Sequence, residues 1–236
     1  MVAKKITSLQ HPLVKHWFEL RTNKTYREQA QRLLIAGKKM VAELPIEVLI
    51  TVEPSSIACR EQVIVPKEIL KKITGLQAPD GFAAEIALPQ PQDLKGKQWV
   101  LILDQIADPG NLGTLLRTAL ALGWEGVILT PGTVDPFNDK ALRAGKGAQF
   151  HLPFAYMDMR DIEEMRLHLY AADLDGGPLG HVETPLGLIL SSEGHGARIW
   201  KTAKKITLPM RSEVESLNVA ATGAILLYVM RNPHDA

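Results

Sequence analysis

Residues 104–123 read DQIADPGNLGTLLRTALALG, and the fold turns on them. The five residues before them, 99–103 (WVLIL), form a short apolar run that reads as a buried strand. Residues 126–130 (GVILT) are a second such run. Between the two, Leu112, Leu115, Leu116, Ala119 and Leu120 recur at helical spacing. Strand, loop, helix and strand make the crossover of a parallel sheet. The loop 108–113 then falls beyond the carboxyl end of a strand, where open α/β sheets hold their ligands. Thr114, Arg117 and Thr118 share the polar side of the helix. Asn111 is expected to cap it, its side-chain oxygen accepting an orphan backbone N–H. Arg117, under two turns on, carries a rigid fork of donors suited to phosphate or carboxylate. Taken alone, the loop is equally a capped amphipathic helix with one solvated arginine.

The chain has 236 residues, room for one large domain or two small ones. A hydrophobic share of 46% and a charged share of 22% describe an ordinary globular protein. No apolar run reaches the length of a membrane span. The opening MVAKKITSLQ lacks the apolar core of a signal peptide, so the expected location is cytoplasmic, with no membrane partner. Cys59 is the only cysteine. That excludes an intrachain disulfide and a cysteine-rich zinc site, and suits a reducing compartment. The net charge of +1 hides an asymmetry, because residues 1–40 hold nine Lys/Arg against two acids, Glu19 and Glu28. A basic end on a nearly neutral chain points to a polyanion such as nucleic acid. Lys15, Arg21, Lys24 and Arg27 are its candidate contacts, joined by Arg143 and Lys146 in the turn-rich stretch 131–146. A solvated basic face is the plain alternative.

In chain order, residues 8–20 read as a helix starting near Ser8 or Gln10, with Leu13, Val14, Trp17 and Phe18 on its apolar face and His11, Lys15 and His16 off it. Residues 22–32 are polar and basic, a loop or short helix. Strands are expected at 32–37, 48–52, 62–65 and 81–88, and helices at 38–44 and 66–74. The stretch 89–97 is rich in Pro, Gly and Lys and marks a linker. The domains are therefore 1–92 and 98–236, joined by 93–97. In the second, strands are expected at 149–154, 170–173, 186–191 and 205–208, and helices at 159–169 and 217–230.

Three loops follow three strands. They are 111–117, then Ser192-Glu193-Gly194-His195-Gly196, then 209–218. In the last, Ser216 is a natural N-cap for the final helix, which would leave Asn218 incidental. No GxGxxG follows the strand at Leu103, no GxxxxGK[ST] occurs, and no Ser sits in a GxSxG context. The seven His are scattered, with no metal-ligand spacing.

Together the loops resemble a known family. Asn111-x-Gly113-x3-Arg117-Thr118-Ala119, Ser192-Glu193-Gly194-x-Gly196, and Leu208-Pro209-Met210 with Ser216-Leu217-Asn218-Val219-x2-Thr222-Gly223 match in order and spacing the three motifs of the SpoU (TrmH-like) branch of the SPOUT RNA methyltransferases. The resemblance covers about residues 97–233. It implies an S-adenosylmethionine-dependent RNA 2′-O-ribose methyltransferase acting on rRNA or tRNA. The implied fold is α/β, a parallel-sheet SPOUT methyltransferase domain tied in a trefoil knot, preceded by a small α/β L30e-like domain that binds the RNA. Pattern reasoning alone would exclude a knot. The resemblance also implies a homodimer with a shared active site, the last apolar helix being a candidate for the interface.

Carried over by position, Arg117 is the catalytic arginine, while Asn111, Glu193, Ser216 and Asn218 hold the substrate ribose and phosphate. The backbone around Leu190, Gly194, Leu208, Met210 and Leu217 cradles the cofactor, and no metal is implied. Arginine is protonated at any ordinary pH, which favours an electrostatic clamp over a base as the role of Arg117. Two positions depart from the usual pattern. Gly145 stands where many members have Ser in Arg-x-Ser-x-Gly, and Ala36-Gly37 where many have Glu-Gly. The rival readings are a non-catalytic RNA-binding or ribosome-assembly factor that keeps the fold, and an enzyme methylating a base.

Overall fold

The computed structural model describes residues 4–192, 200 and 202–231. They fall into two units, Met1–Gln90 with Phe137–Asp139, and Pro91–Pro136 with Lys140–Ala236.

In the first unit, helix α1 spans Pro12–Thr22 and starts later than the apolar pattern suggests. His11 caps it, Nδ1 accepting from the Leu13 N–H at 3.2 Å, and Pro12 takes the first helical position, where its missing N–H costs nothing. Strands β1 (Lys4–Lys5), β2 (Arg32–Ala36), β3 (Val48–Thr51), β4 (Glu61–Ile64) and β5 (Phe82–Ala87) form a sheet in the order β1-β4-β3-β5-β2. Helices α2 (Lys24–Ala30), α3 (Lys38–Glu43) and α4 (Lys67–Thr74) complete the unit. Val14, Trp17 and Leu20 of α1 pack with Ile69, Leu70 and Ile73 of α4 and with the sheet. His16, expected off the packed face, is engaged instead. Its Nδ1 is 2.8 Å from the Tyr26 hydroxyl and its Nε2 is 3.3 Å from Glu85. Burial pushes the Glu85 carboxyl up, but His16, the Trp17 indole at 3.0 Å and the Arg32 charge outweigh it and leave the group below its usual range.

Six strands of the second unit, β6 (Trp99–Asp104), β7 (Gly126–Leu129), β8 (Phe154–Tyr156), β9 (His168–Pro178), β10 (Leu186–Ser191) and β11 (Lys204–Thr207), run parallel in the order β11-β9-β10-β6-β7-β8. Near-continuous apolar strands follow from burial on both faces. On one face Val100, Ile102 and Ile189 meet Ile162 of helix α7 (Met159–Glu164). On the other lie α5 (Pro109–Ala121) and α8 (Val219–Arg231), where Gly223 sits against Leu115 and Leu190. A Cβ at Gly223 would run into the Leu115 side chain and lie 2.7 Å from Leu190 Cδ1, so glycine there sets how closely α8 approaches.

Several expectations are corrected. Leu94, in the expected linker, is fully buried beside Val100 and Ile102, so this stretch is packed into the second unit rather than a free tether. The expected strand 149–154 is a 3₁₀ turn, Ala148–Phe150, followed by β8. Helix α7 stops at Glu164 rather than 169, since Arg166 adopts a left-handed φ of 55° and the chain enters β9.

Candidate active site

β6 and β10 are neighbours, yet the chain leaves β6 towards β7 on one side and reaches β10 from β9 on the other. This is a topological switch point, and the crevice beyond the carboxyl ends of such strands is where doubly wound sheets bind ligands. Three segments converge there.

The first is the start of α5. Asp108, not Asn111, is the N-cap: its Oδ1 accepts from the Asn111 N–H at 2.8 Å, and Pro109 occupies the first helical position. The Lys140 ammonium at 2.9 Å, with that backbone N–H, holds the Asp108 carboxyl below its usual range. Asn111 is thereby released from capping and stands in the first turn. Arg117 is exposed on the same helix and has no hydrogen bond or ion pair to any described residue. Helix α6 (Asp139–Gly145) approaches α5 closely at Gly113. A Cβ at Gly113 would run into the Ala141 carbonyl and lie 2.7 Å from the Ala144 Cβ and the Gly145 nitrogen. Gly145 in turn leaves room for the buried Gln149 amide, whose Oε1 would lie 2.5 Å from an added Cβ. The departure from Ser at this position is therefore packed around rather than left as a gap.

The second segment is the end of β10, Leu190-Ser191-Ser192. Glu193, Gly194 and the remainder of their motif lie outside the described residues. The third segment is the approach to α8. Asn218, not Ser216, caps that helix: its Oδ1 accepts from the Ala220 N–H at 2.9 Å, and its carbonyl accepts from the Thr222 N–H at 2.9 Å. Its Nδ2 donates to Asn111 Oδ1 at 3.2 Å, which ties the first and third motifs together across 107 residues of sequence.

Beside this junction lies a cavity of about 460 Å³, within the range of small-molecule sites. Leu190, Leu208, Met210, Leu217 and Ser216 all line it. Asp173, Asp175, Ser191 and Thr207 line it too and were not singled out by sequence reasoning. Asp173 and Asp175 sit in β9, whose polar end offers no motif to read. Apolar walls suit a flat base, while hydroxyls and carboxylates suit a ribose and an ammonium. Asn111, Arg117 and Asn218 are not among the cavity's lining residues.

Among the basic candidates, Lys15, Lys24, Arg143 and Lys146 are exposed. Arg27 is corrected. It is 3% exposed, and its Nη1 donates to the carbonyls of Leu20 at 2.9 Å and Arg21 at 3.1 Å, closing the end of α1. Arg21 lies partly buried over the Phe18 ring, 5.2 Å from its centroid.

A sequence profile of the SpoU rRNA Methylase family matches residues 98–228. The chain belongs to this family. It is 33% identical to the 23S rRNA (guanosine(2553)-2′-O)-methyltransferase RlmP of Bacillus subtilis, over 97% of this chain and 99% of that one. It is 30% identical to an uncharacterised tRNA/rRNA methyltransferase of Synechocystis, over 96% of this chain and 93% of that one. An AdoMet-bound rRNA methyltransferase from Sinorhizobium meliloti superposes with a TM-score of 0.84 at 25% identity, over 98% of both chains. These three matches extend over both units of the chain. Its fold is the α/β SPOUT fold. No helix among the described residues is long and apolar enough to cross a membrane.

Proposed function

We propose that this SpoU-family chain methylates a ribose 2′-hydroxyl of ribosomal RNA, with S-adenosylmethionine held in the cavity at the ends of β9, β10 and β11. One observation carries the reading: the Asn218–Asn111 hydrogen bond joins two motifs at the rim of a cavity whose walls come from the segments the family uses for its cofactor. RlmP, matched almost end to end, acts on 23S rRNA, which favours rRNA over tRNA.

Leu190, Leu208, Met210 and Leu217 hold the cofactor, and Ser216, Asn111, Asn218 and Glu193 hold the ribose and phosphate. Bound there, S-adenosylmethionine supplies a methyl group on a sulfonium sulfur, which leaves readily. The remaining work falls to the protein. It aligns the 2′-oxygen with the methyl carbon and holds that line. Arg117, permanently charged with five donors, stabilises the 2′-oxygen as it passes its proton to solvent water. Arg117 is not among the lining residues of its own chain's cavity, which supports the reading that it serves the cavity of a second copy in a homodimer. Ile225 and Tyr228, 43% and 44% exposed on α8, supply apolar surface for that pairing. The knotted threading of the C-terminal strands belongs to the same proposal. Residues 1–92 form the L30e-like RNA-binding domain, with Lys15 and Lys24 on its exposed surface, while Arg143 and Lys146 contact RNA from the second domain. A cytoplasmic location belongs to the same proposal, and the free Cys59 is consistent with it.

The test is calorimetric titration of S-adenosylmethionine, followed by labelled-methyl transfer to rRNA and nuclease digestion. One site per chain and a nuclease-resistant 2′-O-methyl dinucleotide are expected. Label on a base, or no cofactor binding by folded protein with RNA present, would overturn the reading.

A further inference from the structure

Asp104 closes β6 at the switch point and is 2% exposed. Its carboxylate receives three donors from three segments. Thr130 Oγ1 is 2.8 Å from Oδ1, and Ser191 Oγ and Trp200 Nε1 are each 3.0 Å from Oδ2. The Thr130 hydroxyl already accepts the Gln105 N–H at 3.2 Å, so its own hydrogen goes to Asp104, and the indole can only donate. Every contact is a donor, the pattern of an ionised carboxylate. Yet no cation among the described residues forms an ion pair with it, whereas Asp173 has Lys205 at 2.8 Å. A buried charge is normally paired.

Ser191 lines the cavity, so one hydroxyl separates this anion from whatever the cavity holds. Resting on the cofactor reading above, we propose that Asp104 is a positioning residue that biases the cavity electrostatically towards a cationic ligand. It thus favours the sulfonium cofactor over the neutral thioether left after methyl transfer. In a protein interior, poorly screened by water, a charge a few ångströms away acts strongly, and it stops acting on the ligand once the positive charge is gone. The bias would load S-adenosylmethionine and help discharge S-adenosylhomocysteine. Sequence gives no hint of this, because an Asp at a strand end reads as a solvated turn residue.

Asp104→Asn tests the charge with little change of shape. The amide oxygen can keep the Ser191 and Trp200 donors, and Thr130 can accept from the amide nitrogen by rotating its hydroxyl. Calorimetry is read for S-adenosylmethionine, S-adenosylhomocysteine and a protonated-amine analogue with nitrogen in place of sulfur. In Asp104→Asn both cationic ligands should weaken by about tenfold or more while the thioether stays within about twofold. Asp175→Asn, removing an exposed and solvent-screened carboxylate of the same cavity, should change the ratio far less. Equal weakening of all three ligands, or no change, overturns the proposal. Should Asp104→Asn not fold, the wild-type protein decides: the amine analogue must bind more tightly than the thioether, and equal or weaker binding overturns the proposal. A wild-type protein that binds none of them overturns the cofactor reading itself, and this inference with it.

Discussion

Arg117 stands on the open side of α5 with no described partner, so its removal should disturb little but chemistry. Arg117→Ala is expected to bind S-adenosylmethionine within about twofold of wild type and to lose roughly 10²–10³ in turnover, the usual cost of one oxyanion-stabilising donor. Single-turnover transfer and calorimetry on the same preparation check both halves, and undiminished turnover would refute the assigned role. Glu85 makes a second prediction. Its carboxyl is held below the usual 4.5 in the folded state, so it contributes stability above that pH and loses it as pH falls through the folded value. Thermal unfolding of the wild type should therefore weaken below about pH 4.5, and Glu85→Gln should be less stable at pH 7 with a shallower acid limb. Arg27 shows where single residues defeat sequence reading. A lysine or arginine in a basic stretch reads as solvated, yet this one satisfies the orphan carbonyls at the end of α1. Arg27→Ala should lower the melting temperature, while Lys15→Ala with Lys24→Ala should weaken RNA binding and leave stability unchanged.

Elements were legible where periodicity and burial agree. The apolar spacing of α5 and the continuous apolar run of β10 both survive in the structure. The ends were harder, because competing caps lie within three residues of one another. Pro109 was the missed signal for α5: a proline favours the first helical position, which puts the cap at Asp108. The mistake at α8 has more bearing on function. Local pattern makes Ser216 the cap, yet Asn218 both caps the helix and reaches Asn111, a contact that no local pattern encodes. Asn218→Ala should cost about 1 kcal/mol in cap energy and also raise the KM for RNA. Ser216→Ala should leave stability unchanged. Gly113→Ala brings a methyl against the Ala141 carbonyl, and it should force α5 from α6 and destabilise the second unit by about 1–3 kcal/mol in denaturant unfolding.

At the scale of the whole molecule, the parallel sheet followed from one βαβ unit, but the strand order did not. Nothing in the run 186–191 says that it pairs with β6 rather than with the strand before it alone. Family resemblance supplied the SPOUT fold, which periodicity could not, and the identity with RlmP extends over nearly the whole chain. Charge acts at this scale as well. Replacing Lys15, Lys24, Arg143 and Lys146 by Ala should lower the salt dependence of RNA binding by about three in log–log slope, if each neutralises one phosphate. An unchanged slope would remove them from the interface.

The pairing of β6 with β10 also governs how the chain reaches this structure. Asp104 and Ser191 lie 87 residues apart, and the central ladder of the second unit cannot close until both strands exist. A nascent chain that has made β6, β7 and β8 holds three parallel strands with one apolar edge still open. Contacts this distant carry a loop-closure cost before any reward arrives, so folding of the second unit should be slow, in the range of milliseconds to seconds or longer. Until β10 emerges, that open edge is a site for pairing with other chains, and the interval of synthesis between the two strands is when the protein is most exposed to aggregation.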